Sequence, residues 1–206
     1  TSLHRADSTV GGRAPVAFTD DWKEDAARRD FTINALMADP VSGEIFDYFG
    51  GLADMEQRRV RFIGDPPQRI AEDHLRILRF FRFHARFGDG EPDPAALEAC
   101  AARANDLMAL SRERIADELL KLLALADPSA TVELLVGRDI LKPVLPEVER
   151  AALASLRELV AAEAQSGLPG DPLRRLAALL PADPDLAERV AARRAECHDP
   201  LDLRRG

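Results

Sequence analysis

Glu72-Asp73-His74-Leu75-Arg76-Ile77-Leu78-Arg79, continued by Phe80-Phe81-Arg82-Phe83-His84-Ala85-Arg86-Phe87, decides how the rest of the chain is read. Upstream, Asp65 is followed by Pro66 and Pro67 in a first helical turn and by Gln68 three residues on, a helix-start signature. The pattern predicts a helix over about 66–87. At 100° per residue, Ile70, Ile77, Leu78, Phe81 and Ala85 form one apolar stripe. Asp73, Arg76 and Arg79 fall within about 120° of one another on the opposite side, with Phe80 and Phe83 between them. The plain reading is a solvated face with i,i+3 ion pairs. Two features weigh against it: the charges are mostly of one sign, and aromatic rings sit on the supposedly wet face.

A sharper reading gives this face a chemistry. A carboxylate beside a guanidinium can read a base along its Watson–Crick edge: the carboxylate accepts from an exocyclic amine, and the guanidinium donates to the neighbouring ring nitrogen or carbonyl. Cytosine and adenine present that amine. Uracil and guanine present a carbonyl there and would meet the carboxylate oxygen to oxygen. Asp73 with Arg76 would thus favour C and A, while Arg79 and Arg82, further along the helix, could hold phosphates or RNA backbone.

Working outward, the net charge of −8 conceals a local field. From Arg58 to Gly88 eight arginines stand against Asp65, Glu72 and Asp73, a net +5 with no lysine. Planar guanidinium forks suit phosphates and base edges. Upstream, a helix is expected from Asp21 to about Asn34, then a β-hairpin from Ala35–Ala38 and Glu44–Asp47 around a turn at Asp39–Gly43. Gly50-Gly51 breaks the chain before a short helix, and Arg59–Ile63 reads as a strand. Beyond Ile63 only helices are expected, at about 94–109, 112–126, 128–137, 149–166, 171–180 and 184–197. The fold class is α+β: the edge of a mixed α/β domain leading into a helical array.

A chain of 206 residues that is 46% hydrophobic and 31% charged can bury a core of one or two domains. No apolar run approaches the roughly 18 residues of a membrane span, and no signal-peptide pattern opens it. Cys100 and Cys197 lie far apart and suit reduced thiols of a cytoplasmic protein.

The stretch Glu72–Arg79 resembles the E-D-x-L-R-x-x-R motif of the class II tRNA nucleotidyltransferase (CCA-adding enzyme) and poly(A) polymerase family. Three further segments agree in the family's order. Arg28-Arg29-Asp30-Phe31-Thr32-Ile33-Asn34-Ala35 is similar to its ribose-recognition motif. Asp47-Tyr48-Phe49-Gly50-Gly51 is similar to its hinge between head and neck. Ser111-Arg112-Glu113-Arg114-Ile115-Ala116-Asp117-Glu118-Leu119 is similar to the helix-turn motif that supports the recognition helix. The likeness runs from about Asp7 to Leu125.

The resemblance implies that Asp73 and Arg76 are an amino-acid template for CTP and ATP, that Arg29 and Asp30 contact phosphate and ribose, and that Gly50 and Gly51 form a pivot. It implies the tRNA 3′ end as partner. It also implies a division into 1–64, the C-terminal part of the nucleotidyltransferase head; 65–126, a neck carrying the recognition helices; and 127–206, part of a helical body. Asp7, Thr9, Gly11, Gly12 and Arg13 with Phe18-Thr19-Asp20-Asp21-Trp22 resemble the flexible loop of CCA-adding members, which favours CCA addition over a poly(A) polymerase using ATP alone. Catalysis in the family needs two divalent cations, Mg2+ being expected, held by carboxylates on a Gly-Ser loop and an Asp-x-Asp strand. Those motifs lie upstream of everything resembled here, and Asp183-Pro184-Asp185 reads as a helix cap. No catalytic or metal-binding residue is therefore assigned, the segment alone is expected to be inactive, and a non-catalytic nucleotide- or RNA-binding remnant stays open as an alternative.

Overall fold

The computed structural model describes residues 21–181. The expected loop from Asp7 to Val16, the Phe18–Asp20 segment, the turn at Asp183–Asp185, the helix at 184–197 and Cys197 lie outside the described residues. The chain divides into two compact units, the first ending at Ile115 and the second beginning at Ala116.

In the first unit, α1 (Trp22–Arg28) starts on Asp21, whose carboxylate accepts from the backbone N–H groups of Lys23 and Glu24. The helix stops at Arg28, shorter than the expected run to Asn34. Phe31 instead takes an extended conformation and bridges antiparallel to Phe62, and a 3-10 turn follows over Thr32–Asn34. The competing interaction is burial: Phe31 and Phe62 are both within the core, with ring centroids 5.0 Å apart. The expected strand at Arg59–Ile63 reduces to this single bridge.

The hairpin is present as β1 (Met37–Ala38) and β2 (Ile45–Phe46), antiparallel, pairing Met37 with Phe46 and Ala38 with Ile45. Next comes α2 (Gly51–Glu56), whose start explains Asp47-Tyr48-Phe49-Gly50-Gly51. The Asp47 carboxylate accepts from the backbone N–H groups of Phe49, Gly51 and Leu52. Gly50 has φ +77°, and a Cβ on Gly51 would sit 2.3 Å from the Thr32 carbonyl oxygen. Only glycine fits both positions without strain.

The single helix expected over 66–87 is two helices, α3 (Pro66–Glu72) and α4 (Arg76–Phe87). At the break Asp73 is extended (φ −154°, ψ 107°). Its carboxylate accepts from the Leu75 N–H at 3.1 Å and its carbonyl from the Arg76 N–H at 3.0 Å. A short polar side chain that hydrogen-bonds its own downstream backbone competes with helix continuation. The helical wheel across 73–79 therefore does not hold. Ile70, Ile77, Leu78 and Phe81 are buried as the stripe required, but so is Phe80, which the wheel placed on the wet face. Phe80 lies 5.6 Å from Phe62 and 5.3 Å from Phe81, centroid to centroid. α5 (Pro94–Ala102) begins on Asp93-Pro94 and packs on α3. A 3-10 turn over Ala104–Ala109 replaces the second half of the expected 94–109 helix.

α6 (Arg112–Leu123) contains the boundary between the units. The second unit continues with α7 (Ser129–Gly137), α8 (Ala152–Gln165) and α9 (Pro172–Leu179), the last capped by Asp171. Leu135, Ile140 and Leu156 are fully buried in its core. A buried pair also crosses it: Arg175 donates to Glu163 at 2.8 Å and to the carbonyls of Leu123, Leu125 and Ala126, which end α6 and the turn after it. Among the described residues no helix is long and apolar enough to cross a membrane.

Burial alone would raise the carboxyls of Asp47, Asp54 and Glu163, but hydrogen bonds outweigh it and hold all three below their usual values. The donors are backbone N–H groups for Asp47, Thr32, Arg59 and Arg61 for Asp54, and Arg175 with its neighbours for Glu163. Each favours the folded state when deprotonated, so its contribution is complete above the unfolded pKa and lost as pH falls through the lower folded value. The melting temperature should stay level from neutral pH to about pH 5 and drop below about pH 4. Asp54→Asn should flatten part of that acid limb in a pH series of thermal melts.

Candidate nucleotide-recognition groove

The C-terminal end of α1 leaves carbonyl groups without helical partners, and arginines from α3 and α4 supply them. Arg69 donates to the carbonyls of Ala27, at 2.9 Å, and Arg29. Arg76 donates to the Arg28 carbonyl at 3.2 Å. Arg76 also reaches the Arg69 carbonyl at 2.9 Å and Glu72 at 2.6 Å, and Glu72 pairs with Arg69 at 2.8 Å. Burial and the nearby Arg76 charge lower the Arg69 pKa, with Glu72 opposing. The Arg-x-x-Glu-x-x-x-Arg spacing of residues 69, 72 and 76 thus ties the Asp73 turn to the backbone of residues 27–29.

Asp30 is 5% exposed. One oxygen accepts from the Phe31 N–H and the Asn34 amide at 3.0 and 2.9 Å; the other accepts from Arg79 at 2.6 Å. Arg29 donates to the Asn34 carbonyl and pairs with Asp25 at 2.9 Å. Asp73 does not bond Arg76. Its partner is Arg114, whose Nη2 lies 3.1 and 3.0 Å from the two carboxylate oxygens.

These contacts enclose an open groove of about 280 Å³ lined by Arg28, Arg29, Asp30, Asn34, Asp73, Arg76 and Arg79. Five of the six nucleotide-site residues expected from the sequence therefore meet in one place. Arg82 does not line the groove, and its guanidinium lies over the Phe83 ring, 4.8 Å from the centroid. Arg79 is committed to Asp30 and also lies over Phe83, at 5.4 Å. Gly50 and Gly51 lie at the start of α2, outside the groove lining. Sequence reasoning missed Arg69, Glu72 and Asn34, although Glu72 is i,i+3 and i,i+4 to its two arginines.

The geometry leaves chemistry available. Of Arg76's five N–H donors, its hydrogen bonds among the described residues engage Nη1 twice and Nη2 once, so two remain. Asp73 Oδ2 accepts only from Arg114 among them, leaving acceptor capacity. The carboxylate is 35% exposed and pre-oriented. Among the described residues no group of three or more histidine, cysteine, aspartate or glutamate side chains is placed to hold a metal ion.

The Arg76 side chain is only 14% exposed, although the helical wheel set it opposite the apolar stripe. Arg76→Ala should lower unfolding free energy by about 1–3 kcal/mol, because two backbone carbonyls lose a charged donor. Arg114→Ala, at a half-exposed pair, should cost less than about 1 kcal/mol. Denaturant unfolding of the two variants should show that order, and equal losses would contradict the capping role of Arg76.

Comparison with known proteins places these elements. The family model described as the poly A polymerase head domain matches residues 2–61. A second, described as the probable RNA and SrmB-binding site of polymerase A, matches residues 91–152. The chain is 45% identical over 157 residues to the human mitochondrial CCA tRNA nucleotidyltransferase 1, covering 75% of this chain and 35% of that protein. A crystal structure of the Bacillus stearothermophilus CCA-adding enzyme in complex with CTP superposes with a TM-score of 0.60 at 32% identity, covering 70% of this chain and 35% of the other. The Thermotoga maritima CCA-adding enzyme complexed with tRNA gives 0.63 at 25% identity, covering 84% and 44%. The chain spans well under half the length of these relatives. With family matches on both sides of the Asp73 turn and a relative 45% identical over three quarters of the chain, the chain belongs to the tRNA nucleotidyltransferase and poly(A) polymerase family.

Proposed function

We propose that this chain is the nucleotide-selecting part of a CCA-adding tRNA nucleotidyltransferase, choosing CTP and ATP for addition to the tRNA 3′ end. The observation that carries the reading is the groove itself, where Asp73 keeps an acceptor and Arg76 keeps donors beside Asp30 and Arg29. In this reading Asp73 accepts from the exocyclic amine of cytosine or adenine. Arg76 donates to the adjacent ring nitrogen or carbonyl. Asp30, held by Arg79 and Asn34, accepts from a ribose hydroxyl, and Arg29 faces phosphate. Arg82 contributes backbone contacts to RNA from beside the groove. Gly50 and Gly51 allow the pivot that refits the pocket as the RNA end grows.

The relatives support this reading through what their names state, CTP for one and tRNA for another. Residues 1–64, 65–126 and 127–206 correspond in this reading to head, neck and body. Mg2+ belongs to the whole enzyme. The human relative is named mitochondrial, so a cytoplasmic site of action is a proposal for this chain alone.

The test uses the full-length protein and tRNA lacking its terminal CCA. Incorporation should favour C and A over U and G, and Asp73→Ala should erase about 1–3 kcal/mol of that preference. The variant should lose only about 1 kcal/mol of stability, as expected for a lost cap. Selectivity unchanged in Asp73→Ala would sink the reading, and incorporation of A alone would favour a poly(A) polymerase.

A further inference from the structure

A second cavity, of about 290 Å³, shares Asn34 with the groove. Arg58, Arg59 and Arg86 line it together with Phe83, Phe87 and Met55. Its lining carboxylate, Asp54, is fully buried and matched by Thr32 at 2.6 Å, by Arg59 at 2.6 Å and by Arg61 at 2.9 Å. Arg58 and Arg86 have no ion-pair partner among the described residues. The cavity therefore presents positive charge that the fold does not neutralise.

Two further observations point to a ligand. Phe87 is 42% exposed with the Arg86 guanidinium over it, 5.3 Å from the ring centroid. A guanidinium and an exposed ring together make a platform for a nucleobase and its phosphate. The second observation is backbone strain. Arg58 follows the α2 C-cap with φ +51°, where glycine is the usual residue. Among the described residues the other non-glycine in this region is Asp139, a residue type that tolerates it through local hydrogen bonding. Arginine has no such compensation, so its side chain is retained against the local conformational preference.

We propose that this cavity holds a nucleotide of the RNA strand, with its phosphates on Arg58 and Arg86 and its base against Phe87, adjoining the selection groove across Asn34. The choice of RNA rests on the proposed transferase reading; the charge, the platform and the strain do not. In the full-length protein, Arg58→Gly relieves the left-handed backbone while deleting the cation. The melting temperature should hold or rise, while affinity for tRNA lacking its CCA falls about tenfold. The slope of log affinity against log salt should become shallower by about 0.7. Arg86→Ala, at an exposed helix end, should repeat the binding loss, and CTP affinity should be unchanged in both.

Unchanged tRNA affinity in both variants overturns the proposal, whatever their stability. A loss of CTP affinity with tRNA binding intact also overturns it, because the cavity would then serve the free nucleotide. Asp73→Ala separates the two readings: it should weaken base selection and leave tRNA affinity alone. Failure there strikes the selection groove and not this cavity.

Discussion

The unsatisfied carbonyls at the end of α1 are the constraint on which the groove depends. A helix that stops at Arg28 leaves the carbonyls of Ala27, Arg28 and Arg29 to find donors outside the helix. Arg69 and Arg76 provide them, and Glu72 balances their charge. One network thereby fixes the position of Asp30 on one side and the turn at Asp73 on the other. The two carboxylates proposed to read ribose and base are held relative to each other by backbone-directed arginines, not by contact between themselves.

That arrangement changes the meaning of Arg76. It is a capping residue with donors to spare, so loss of its side chain combines a folding cost with any recognition cost. Asp73 is the cleaner probe. It also takes a local conformation that a continuous helix would deny it, and Arg114, from the motif that begins α6, orients its carboxylate from outside the turn. The part of the family motif that looks supportive in sequence is in direct contact with the part that looks functional.

Much of this was legible beforehand, for identifiable reasons. Asp-Pro pairs at Asp65-Pro66, Asp93-Pro94 and Asp171-Pro172 start helices because the signal is local and needs no tertiary context. The hairpin and the Gly50-Gly51 turn follow from glycine and turn chemistry in the same way. The break at Asp73 was not legible from periodicity, since Ile70, Ile77, Leu78 and Phe81 satisfy a helical stripe whether or not the helix is continuous. The aspartate's capping tendency was the available signal. Phe80 was misplaced because its neighbours, Phe31 and Phe62, come from distant segments. The convergence of Arg29, Asp30, Asp73, Arg76 and Arg79 came from motif order, while the partners that orient them, Arg69, Glu72 and Asn34, became visible only through the contacts.

The most direct measurement is a crystal structure of the full-length protein bound to CTP. The Asp73 carboxylate should lie about 3 Å from the cytosine exocyclic amine, with Arg114 still on Asp73 and an Arg76 N–H directed to the ring. A cytosine edge that contacts neither Asp73 nor Arg76 would contradict base selection by this pair.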